Sequence, residues 1–317
     1  MQNTVRCVDK IQAIFCLTGL FTDHLTKEIS DPMTIKVAIN GFGRIGRLAL
    51  RAAWHRDDYE IVQINEVAGD AHAAAHLLKY DSVHGTWDRS VTSEGSGSEA
   101  RIVIDGQSIA YSQNQHIADT DWSGVDMVVE CTGTFKSQEA LAPYFDQSVK
   151  KVVVSAPVKD GTLNVVMGVN DHLYTNQAIV TAASCTTNCL APVVDVLLKS
   201  FGIKHAAITT IHDITNTQSI LDEYHSDLRR SRASGLSLIP TSTGSATAIT
   251  EIFPELKGRI NGLAVRVPLA NASLTDCVFE LESEVDVDQV NDALRTAAEE
   301  RLNGILGFSD LPLVSVD

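Results

Sequence analysis

Apolar residues follow two spacings along the chain, and the spacing alternates through its first half. Short runs rich in Val and Ile predict strands that are buried on both faces of a sheet. Segments with apolar residues three and four positions apart predict helices. Strands that alternate with helical segments are typical of a parallel sheet covered by helices. The strands predicted in this half cover residues 35–40, 60–65, 126–131, 151–155 and 178–182.

A hairpin interrupts this alternation, and the second half follows a different order. Asp105-Gly106 lies between two apolar runs and suits a two-residue turn between antiparallel strands at residues 101–104 and 108–111. After residue 184, helices and strands are mixed and a long polar segment covers residues 215–237. Strands are predicted at residues 206–212, 264–268 and 274–281, and helices at 190–201 and 287–302.

Length, charge and cysteine spacing limit the possible classes. A chain of 317 residues is long enough for two domains. The formal charge of −15 argues against a nucleic-acid or anionic-membrane surface. The six cysteines show neither metal-ligand spacing nor a disulfide framework, which suits a reducing cytoplasm. No apolar run is long enough to span a bilayer, so we expect no association with a membrane. Because the cysteines lack metal-ligand spacing, we also expect no metal.

The first 32 residues do not fit the pattern that follows. An apolar stretch at residues 11–21 superficially resembles the core of a signal peptide, but no small-x-small cleavage site follows it. Met33 stands two residues before the first predicted strand. We therefore expect residues 1–32 to be an N-terminal extension outside the fold, ahead of a natural start at Met33.

A glycine-rich motif connects the first predicted strand to the next helix. Gly41, Gly43 and Gly46 form Gly-x-Gly-x-x-Gly, and Glu66 ends the second strand twenty residues later. In this context the glycines allow a pyrophosphate to approach a helix N-terminus, and the acid binds the ribose hydroxyls. A carboxylate there repels a 2′-phosphate, which favours NAD over NADP. The residue types predict a Rossmann domain over residues 33–184.

Cys185 is predicted to lie where a strand turns into a helix. Unpaired amides and the helix dipole favour a thiolate at such a position. His212 ends a later strand and can act as the general base for an activated thiol. A lone cysteine is more often a buried apolar residue, and a lone histidine at a strand end is more often structural. The two together indicate nucleophilic catalysis in an α+β catalytic domain over residues 185–317.

Hydroxyl and guanidinium groups cluster in the sequence around this pair. Ser184 and Thr186 flank the cysteine, and residues 241–244 open another helix. An arginine cluster is usually solvated surface, but Arg229, Arg230 and Arg232 in such an acidic chain suggest a clamp for a phosphate.

Four motifs together resemble phosphorylating glyceraldehyde-3-phosphate dehydrogenase, from Met33 to Asp317. They are Asn-Gly-Phe-Gly-Arg-Ile-Gly at 40–46, Ser-Cys-Thr-Thr-Asn-Cys at 184–189, Thr-Thr-Ile-His at 209–212 and Arg-Val-Pro at 266–268. The resemblance implies Cys185 as nucleophile and His212 as base. It implies an inorganic-anion site at Ser184, Thr186 and Thr243, and a substrate-phosphate site at Thr215, Thr217, Arg230 and Arg266. The NAD site would comprise Gly41, Gly43, Arg44, Ile45, Gly46, Glu66, Thr132 and Ser155.

The resemblance also implies a reaction and an assembly. A phosphorylated aldehyde would form a thiohemiacetal on Cys185, pass a hydride to NAD, and leave as an acyl group transferred to inorganic phosphate or arsenate. Members of the family are homotetramers. The chain stops before the family's last strand and C-terminal helix, so we expect the catalytic domain to be incomplete and the tetramer to require the complete C-terminus.

Four places in the sequence leave the substrate open. Glu66 and residues 222–225 are closer to erythrose-4-phosphate dehydrogenases, in which water replaces the anion as acceptor. Residues 235–240 and 269–274 resemble a bacterial subgroup encoded beside an organoarsenical exporter, in which arsenate is thought to be the acceptor. Besides these enzyme activities, the chain could be a catalytically dead fragment that still binds nucleotide. Phosphate and arsenate share charge and tetrahedral shape, so the residues do not choose between them.

Overall fold

The structure is a computed structural model that describes residues 4–7 and 34–317. These residues form two compact units. The N-terminal unit contains the described residues 34–184, and the C-terminal unit contains residues 185–317 together with residues 4–7. The rest of the expected N-terminal extension, residues 1–3 and 8–32, and the expected start at Met33 lie outside the described residues. Their role stays a prediction.

The described strands and helices have the following bounds. The helices are α1 (Arg44–Ala53), α2 (Ala71–Lys79), α3 (Gln138–Phe145), α4 (Cys185–Phe201), α5 (Ser245–Ile252) and α6 (Val287–Glu299). The strands are β1 (Thr4–Cys7), β2 (Ile35–Asn40), β3 (Tyr59–Asn65), β4 (Tyr80–Asp81), β5 (Gly85–Thr86), β6 (Val91–Glu94), β7 (Arg101–Ile104), β8 (Gln107–Ser112), β9 (Met127–Glu130), β10 (Lys151–Val154), β11 (Leu163–Asn164), β12 (Ile179–Thr181), β13 (Ile203–His212), β14 (Ile239–Thr241), β15 (Ile260–Arg266), β16 (Ser273–Leu281) and β17 (Leu306–Ser309).

One large sheet organises the N-terminal unit. Its strands follow the order β11-β12-β10-β9-β2-β3-β8-β7-β6. All neighbours from β11 to β8 are parallel, and β8-β7-β6 form an antiparallel meander. The apolar runs explain the parallel part, because every residue of β9 and β10 is buried. The predicted α/β fold with a Rossmann domain is confirmed.

The predicted hairpin is also present, as β7 and β8. Asp105 and Gly106 both have positive φ angles, 49° and 88°, which a type I′ turn requires. The Asp105 carboxylate accepts a hydrogen bond from the Ser90 amide at 2.9 Å. That contact ties the turn to the preceding segment, so the left-handed aspartate is supported locally.

A mixed four-stranded sheet organises the C-terminal unit. Its order is β14-β15-β13-β16, in which β13 and β15 are parallel and the outer pairs are antiparallel. Helix α6 begins with a capping box, in which Asp286 and Gln289 bind each other's backbone amides. Its Leu294, together with Leu302 and Leu306, packs against Val196 of α4 in a separate apolar core.

Some elements differ from the sequence-based expectation. Helices α2 and α3 were not predicted. Asp70 caps α2 by accepting a hydrogen bond from the Ala73 amide at 2.8 Å. Helix α4 begins at Cys185 rather than at residue 190, and α6 ends at Glu299 rather than at 302. Within residues 34–317 and 4–7, no helix is long and apolar enough to cross a membrane.

The largest departure concerns β1, which lies within the segment expected to be outside the fold. It pairs antiparallel with β17, from Thr4 opposite Ser309 to Cys7 opposite Leu306. The expectation for these four residues was therefore wrong. The physical reason is that β17 presents backbone donors and acceptors along an edge that a short strand can satisfy.

Candidate active site

Cys185 is the first residue of α4 and its side chain is exposed. The backbone turns sharply just before it, because Ala183 has a left-handed φ of 51°, which is uncommon for a residue with a Cβ. The first turn of α4 carries no acidic residue. The amides and dipole at this helix start therefore favour negative charge on the sulfur.

His212 ends β13 and points its Nε2 at Cys185. The two atoms Sγ and Nε2 are 3.2 Å apart. The imidazole is buried, with only 5 % of the residue exposed. This distance allows direct transfer of the thiol proton to the ring, which is the arrangement that an activated cysteine requires.

The other ring nitrogen of His212, Nδ1, faces one acidic and one basic side chain. Asp213 Oδ1 lies 2.5 Å from Nδ1, and Arg266 Nη1 lies 2.8 Å from the same atom. Burial lowers the pKa of His212, but the Asp213 carboxylate and the Cys185 thiol outweigh burial and raise that pKa to about 9. Arg266 acts in the opposite direction. The raised pKa favours a protonated ring, and a protonated ring in turn stabilises a thiolate on Cys185.

A second cluster of hydroxyls surrounds Arg230 in the same unit. Arg230 donates from Nε and Nη2 to Thr241 Oγ1 at 3.0 and 2.7 Å, and from Nη1 to Thr217 Oγ1 at 3.4 Å. Thr217 and Thr215 are joined by a hydrogen bond of 3.1 Å between their hydroxyls. Burial lowers the pKa of Arg266, and the positive charge of Arg230 lowers it further. The two positive charges affect each other, and such a pair favours a bound anion.

The glycine loop of the N-terminal unit leaves room for a pyrophosphate. Gly41 has a φ of +88°, and a Cβ built there would lie 2.4 Å from the Thr132 backbone nitrogen, so this position tolerates only glycine. Gly43, the N-cap of α1, is the reverse case: no atom lies within 4 Å of its notional Cβ. No side chain caps α1 at this residue. The open space and uncapped helix start fit the phosphates of a dinucleotide.

Glu66 lies beside this loop at the end of β3. Its carboxylate accepts hydrogen bonds from the Phe42 amide at 2.6 Å and the Ala68 amide at 2.8 Å. The acid is thus held next to the loop by backbone donors, where a ribose diol can reach it. The site residues fit NAD, and the carboxylate disfavours an additional phosphate on that ribose.

A buried carboxylate supports the opposite side of the crevice. Glu130, 1 % exposed, accepts from Asn40 Nδ2 at 3.0 Å and from the Tyr144 hydroxyl at 2.7 Å. It also accepts from the Thr132 amide at 2.8 Å and from the Thr132 hydroxyl. Burial raises the pKa of Glu130 more than these hydrogen bonds lower it. The network fixes Thr132 at the carboxyl end of β9, and Ser155 follows β10 at the same edge.

Comparison with known proteins matches segments of both units to one family. The family description "Glyceraldehyde 3-phosphate dehydrogenase, NAD binding domain" matches residues 35–138, and "Glyceraldehyde 3-phosphate dehydrogenase, C-terminal domain" matches residues 184–317. A glyceraldehyde-3-phosphate dehydrogenase 3 from Nostoc sp. is 57% identical over 90% of this chain and 85% of its own length. The chain belongs to the glyceraldehyde-3-phosphate dehydrogenase family.

Two further relatives show similar coverage. A glyceraldehyde-3-phosphate dehydrogenase 1 from Bacillus cereus is 51% identical over 89% of this chain and 84% of its own length. A glyceraldehyde-3-phosphate dehydrogenase from Geobacillus stearothermophilus is 49% identical, over 90% and 85%. As a member of this family the chain is an NAD-dependent oxidoreductase, and NAD is its cofactor.

The structure brings most of the predicted site residues of this family member into three groups. The first joins Cys185, His212 and Arg266, and the second joins Thr215, Thr217 and Arg230. The third lies at the carboxyl edge of the large sheet and in the adjacent loop: Gly41, Gly43, Arg44, Ile45, Gly46, Glu66, Thr132 and Ser155. Arg266 was predicted to hold substrate phosphate, and its hydrogen bonds here go to His212 and to the Asp213 carbonyl at 2.7 Å.

The predicted inorganic-anion site occupies two helix starts. Ser184 and Thr186 flank Cys185 at the start of α4, and Thr243 precedes Gly244, the N-cap of α5. Thr186 is largely buried, with 8% of the residue exposed. The role of these three residues stays a prediction. Among the described residues, no group of three or more His, Cys, Asp or Glu side chains is arranged to hold a metal ion.

Three residues that shape these groups were not predicted from the sequence as site residues. Asp213 follows His212 directly and contacts its ring. Thr241 accepts two of the Arg230 hydrogen bonds, and Glu130 anchors Thr132. The signal for Asp213 was its adjacency to a strand-ending histidine. No sequence pattern pointed to Thr241 as a partner of Arg230, because that contact joins positions eleven residues apart through an irregular loop.

Proposed function

We propose that this chain oxidises glyceraldehyde 3-phosphate through an acyl-enzyme on Cys185 and transfers the acyl group to inorganic phosphate or arsenate. The observation that carries the proposal is the 3.2 Å contact between Cys185 Sγ and His212 Nε2 at the start of α4. The names of the relatives, all glyceraldehyde-3-phosphate dehydrogenases, support the choice of substrate.

The chain's own residues account for the proton movements. The Cys185 thiolate attacks the aldehyde carbon, and His212 gives its Nε2 proton to the oxygen to form a thiohemiacetal. His212 takes that proton back as the hydride leaves, which produces a thioester. NAD, when bound, supplies the hydride acceptor. Attack by the inorganic oxyanion then releases the thiolate and an acyl phosphate or acyl arsenate, and the proton lost by the oxyanion passes to solvent.

The Arg230 cluster supplies a site for the substrate phosphate. Its guanidinium is oriented by two hydrogen bonds to Thr241, and the Thr215 and Thr217 hydroxyls lie alongside. Arg266 adds positive charge beside the reacting pair. The two arginines repel each other in the absence of a ligand. A doubly charged phosphate group compensates this repulsion, which favours substrate binding.

Assembly into a homotetramer is part of the proposal. The outward face of the four-stranded sheet carries exposed apolar side chains from three strands: Ile211, Leu263, Leu274 and Val278. In the register of the sheet Ile211 lies opposite Leu274. Asp276 lies between Leu274 and Val278 on the same face. An exposed face that carries several apolar side chains suits an interface between subunits.

NADH formation tests the reaction. The protein is incubated with glyceraldehyde 3-phosphate and NAD, with phosphate, with arsenate or with neither, and NADH absorbance is followed. We expect both anions to accelerate NADH formation. Steady oxidation that neither anion changes would favour the erythrose-4-phosphate-like reaction, with water as acceptor. NAD binding without any NADH would indicate a chain that binds nucleotide only and would contradict the proposal.

A pair of arginine variants tests the substrate-phosphate site. Arg230→Ala should raise the KM for glyceraldehyde 3-phosphate by about 10- to 100-fold, because it removes a charge-assisted contact. Arg229→Ala is the matched control, since Arg229 lies in the same loop with two-thirds of its side chain exposed. Equal KM changes in the two variants would mean that the loop acts through its general charge rather than through Arg230.

A further inference from the structure

Asp213 is placed against the catalytic histidine without having any role in the reaction described so far. It follows His212 at the end of β13, and both residues are buried, with 8 % and 5 % exposed. Its Oδ1 lies 2.5 Å from His212 Nδ1, on the opposite side of the ring from Cys185. A buried carboxylate this close to a ring nitrogen accepts a hydrogen bond from the ring N–H. The attraction between the carboxylate and a protonated ring is strong at low dielectric.

Two side chains compete for the same ring nitrogen, and the Asp213 carbonyl oxygen also lies 2.9 Å from it. Arg266 Nη1 lies 2.8 Å from Nδ1, and a guanidinium can only donate a hydrogen bond. Nδ1 therefore has two alternatives. It carries no proton and accepts a hydrogen bond from Arg266, or it carries a proton and donates a hydrogen bond to Asp213. The backbone resolves the competition, because the Asp213 carbonyl accepts from the same Arg266 nitrogen at 2.7 Å. Arg266 keeps an acceptor when Nδ1 carries the proton, whereas the Asp213 carboxylate would lose its donor in the alternative.

The proton on Nδ1 decides what the other nitrogen can do. With Nδ1–H held by Asp213, Nε2 faces the sulfur at 3.2 Å and takes the thiol proton: the S–H bond breaks and the N–H bond forms. The charged and titratable groups that face the ring are Cys185, Asp213 and Arg266, and Arg230 acts on Arg266. One negative charge on each side of the ring stabilises the imidazolium, and Arg266 is the opposing charge.

We propose that Asp213 is a positioning residue that completes a Cys185–His212–Asp213 triad, holding His212 in the protonated form that keeps Cys185 ionised. The raised pKa of His212, about 9, agrees with this arrangement, since burial alone would lower it. The proposal rests on the proposed function for the identity of the nucleophile and base. It adds a third residue that acts through His212 and touches neither substrate nor cofactor.

Asp213→Asn removes the charge and keeps the shape. In the wild-type protein the rate of alkylation of Cys185 by iodoacetamide should titrate well below pH 8, because the thiolate forms early. In Asp213→Asn the midpoint of this pH profile should rise by about one unit or more, and kcat at pH 7 should fall about 10- to 100-fold with little change in KM. Asp213→Glu keeps the carboxylate and should recover part of both effects.

Asp292→Asn is the matched control, because Asp292 is an exposed carboxylate on α6 in the same unit and lies outside the proposed subunit interface. It should leave the alkylation profile where it is in the wild type. Loss of activity in Asp213→Asn at every pH, with an unmoved alkylation midpoint, would overturn the proposal and leave Asp213 a structural role. If the wild-type protein makes no NADH but the alkylation midpoint rises as expected in Asp213→Asn, the result would contradict the proposed function alone.

A measurement on the unaltered protein covers the case in which the variant does not fold. Nitrogen-15 NMR of the histidine side chains distinguishes a doubly protonated ring from a neutral one. The resonances of His212, assigned with His212→Gln, should show both nitrogens protonated up to about pH 8. A neutral ring at pH 7 would overturn the proposal.

Discussion

At the scale of single residues, three cysteines of the C-terminal unit have different surroundings. Cys185 is exposed and contacts His212, whereas Cys189 and Cys277 are half-buried. Burial raises the pKa of Cys277 to about 12, with further contributions from Cys189 and Asp276. At neutral pH the Cys277 thiolate is therefore about 10⁵-fold less populated than the thiol. The thiolate is the reactive form, so these differences translate directly into reactivity.

Iodoacetamide labelling at pH 7 should follow this order. We expect Cys185 to be modified at least about 100-fold faster than Cys277, with Cys189 between them, as measured by peptide mass spectrometry at short reaction times. Protein unfolded in denaturant is the control, and there the three cysteines should react at similar rates. Equal labelling of Cys185 and Cys189 in the folded protein would show that Cys185 is not specially activated.

The sequence predicts the chemistry of single residues better than their support. Cys185 and His212 follow from their places at a helix start and a strand end, and the structure brings their reactive atoms together. Asp213 and Thr241 do not follow in the same way, because their importance depends on side-chain direction and on a contact across an irregular loop. Side-chain support of this kind is decided by packing, which no local pattern encodes.

At the scale of elements, the unit formed by β2, the glycine loop and α1 combines two opposite demands. The loop must pack closely against the chain after β9, where a Cβ on Gly41 would nearly touch the Thr132 backbone. The same loop must stay open at Gly43, where nothing lies within 4 Å of a notional Cβ. The first demand belongs to folding and the second to ligand binding.

Two glycine substitutions separate these demands. Gly41→Ala should lower the free energy of unfolding by about 2–5 kcal/mol, since it adds a left-handed alanine and a steric overlap with backbone. Gly43→Ala should change that free energy by no more than about 1 kcal/mol but weaken NAD binding at least about 10-fold. Thermal unfolding and calorimetric titration with NAD measure the two quantities. A Gly43→Ala protein that binds NAD normally would show that the pyrophosphate does not use this loop.

Element type was predictable wherever the apolar spacing was regular. The buried strands β9 and β10 and the β7–β8 hairpin follow from their sequences, whereas α2 and α3 do not. Helix α2 is mainly alanine and histidine, so its apolar stripe is weak, and α3 contains Pro143 within its span. Strand β1 could not be predicted, because its partner β17 is contributed by the other end of the chain.

At the scale of the whole molecule, a net charge of −15 keeps copies apart while one apolar face favours their association. The exposed face of the four-stranded sheet is the proposed contact surface, and its Leu274 and Val278 are 61% and 65% exposed. Charge repulsion is screened at physiological salt, and apolar contact is not. Association should therefore persist, and even strengthen, as ionic strength rises.

A charge placed on this face should dissociate the assembly. We expect the wild-type protein to sediment as an oligomer and Leu274→Asp to shift it towards monomer, since a carboxylate would be buried at the interface. Val287→Asp is the control, because Val287 is 72% exposed at the start of α6, where an acid suits the helix dipole. Sedimentation velocity measures both, and wild-type monomer at micromolar concentration would contradict the assembly.

The large sheet also sets the order in which its pieces can form. The type I′ turn at Asp105 and Gly106 brings β7 and β8 together from adjacent positions, a step that takes microseconds. The central pair is different: Val37 of β2 must meet Met127 of β9, which lies ninety positions further along the chain. Closing such a long loop costs entropy before any contact compensates it. We therefore expect the meander to form before the central pair, and the nucleotide crevice, which needs β2 beside β9, to be completed late.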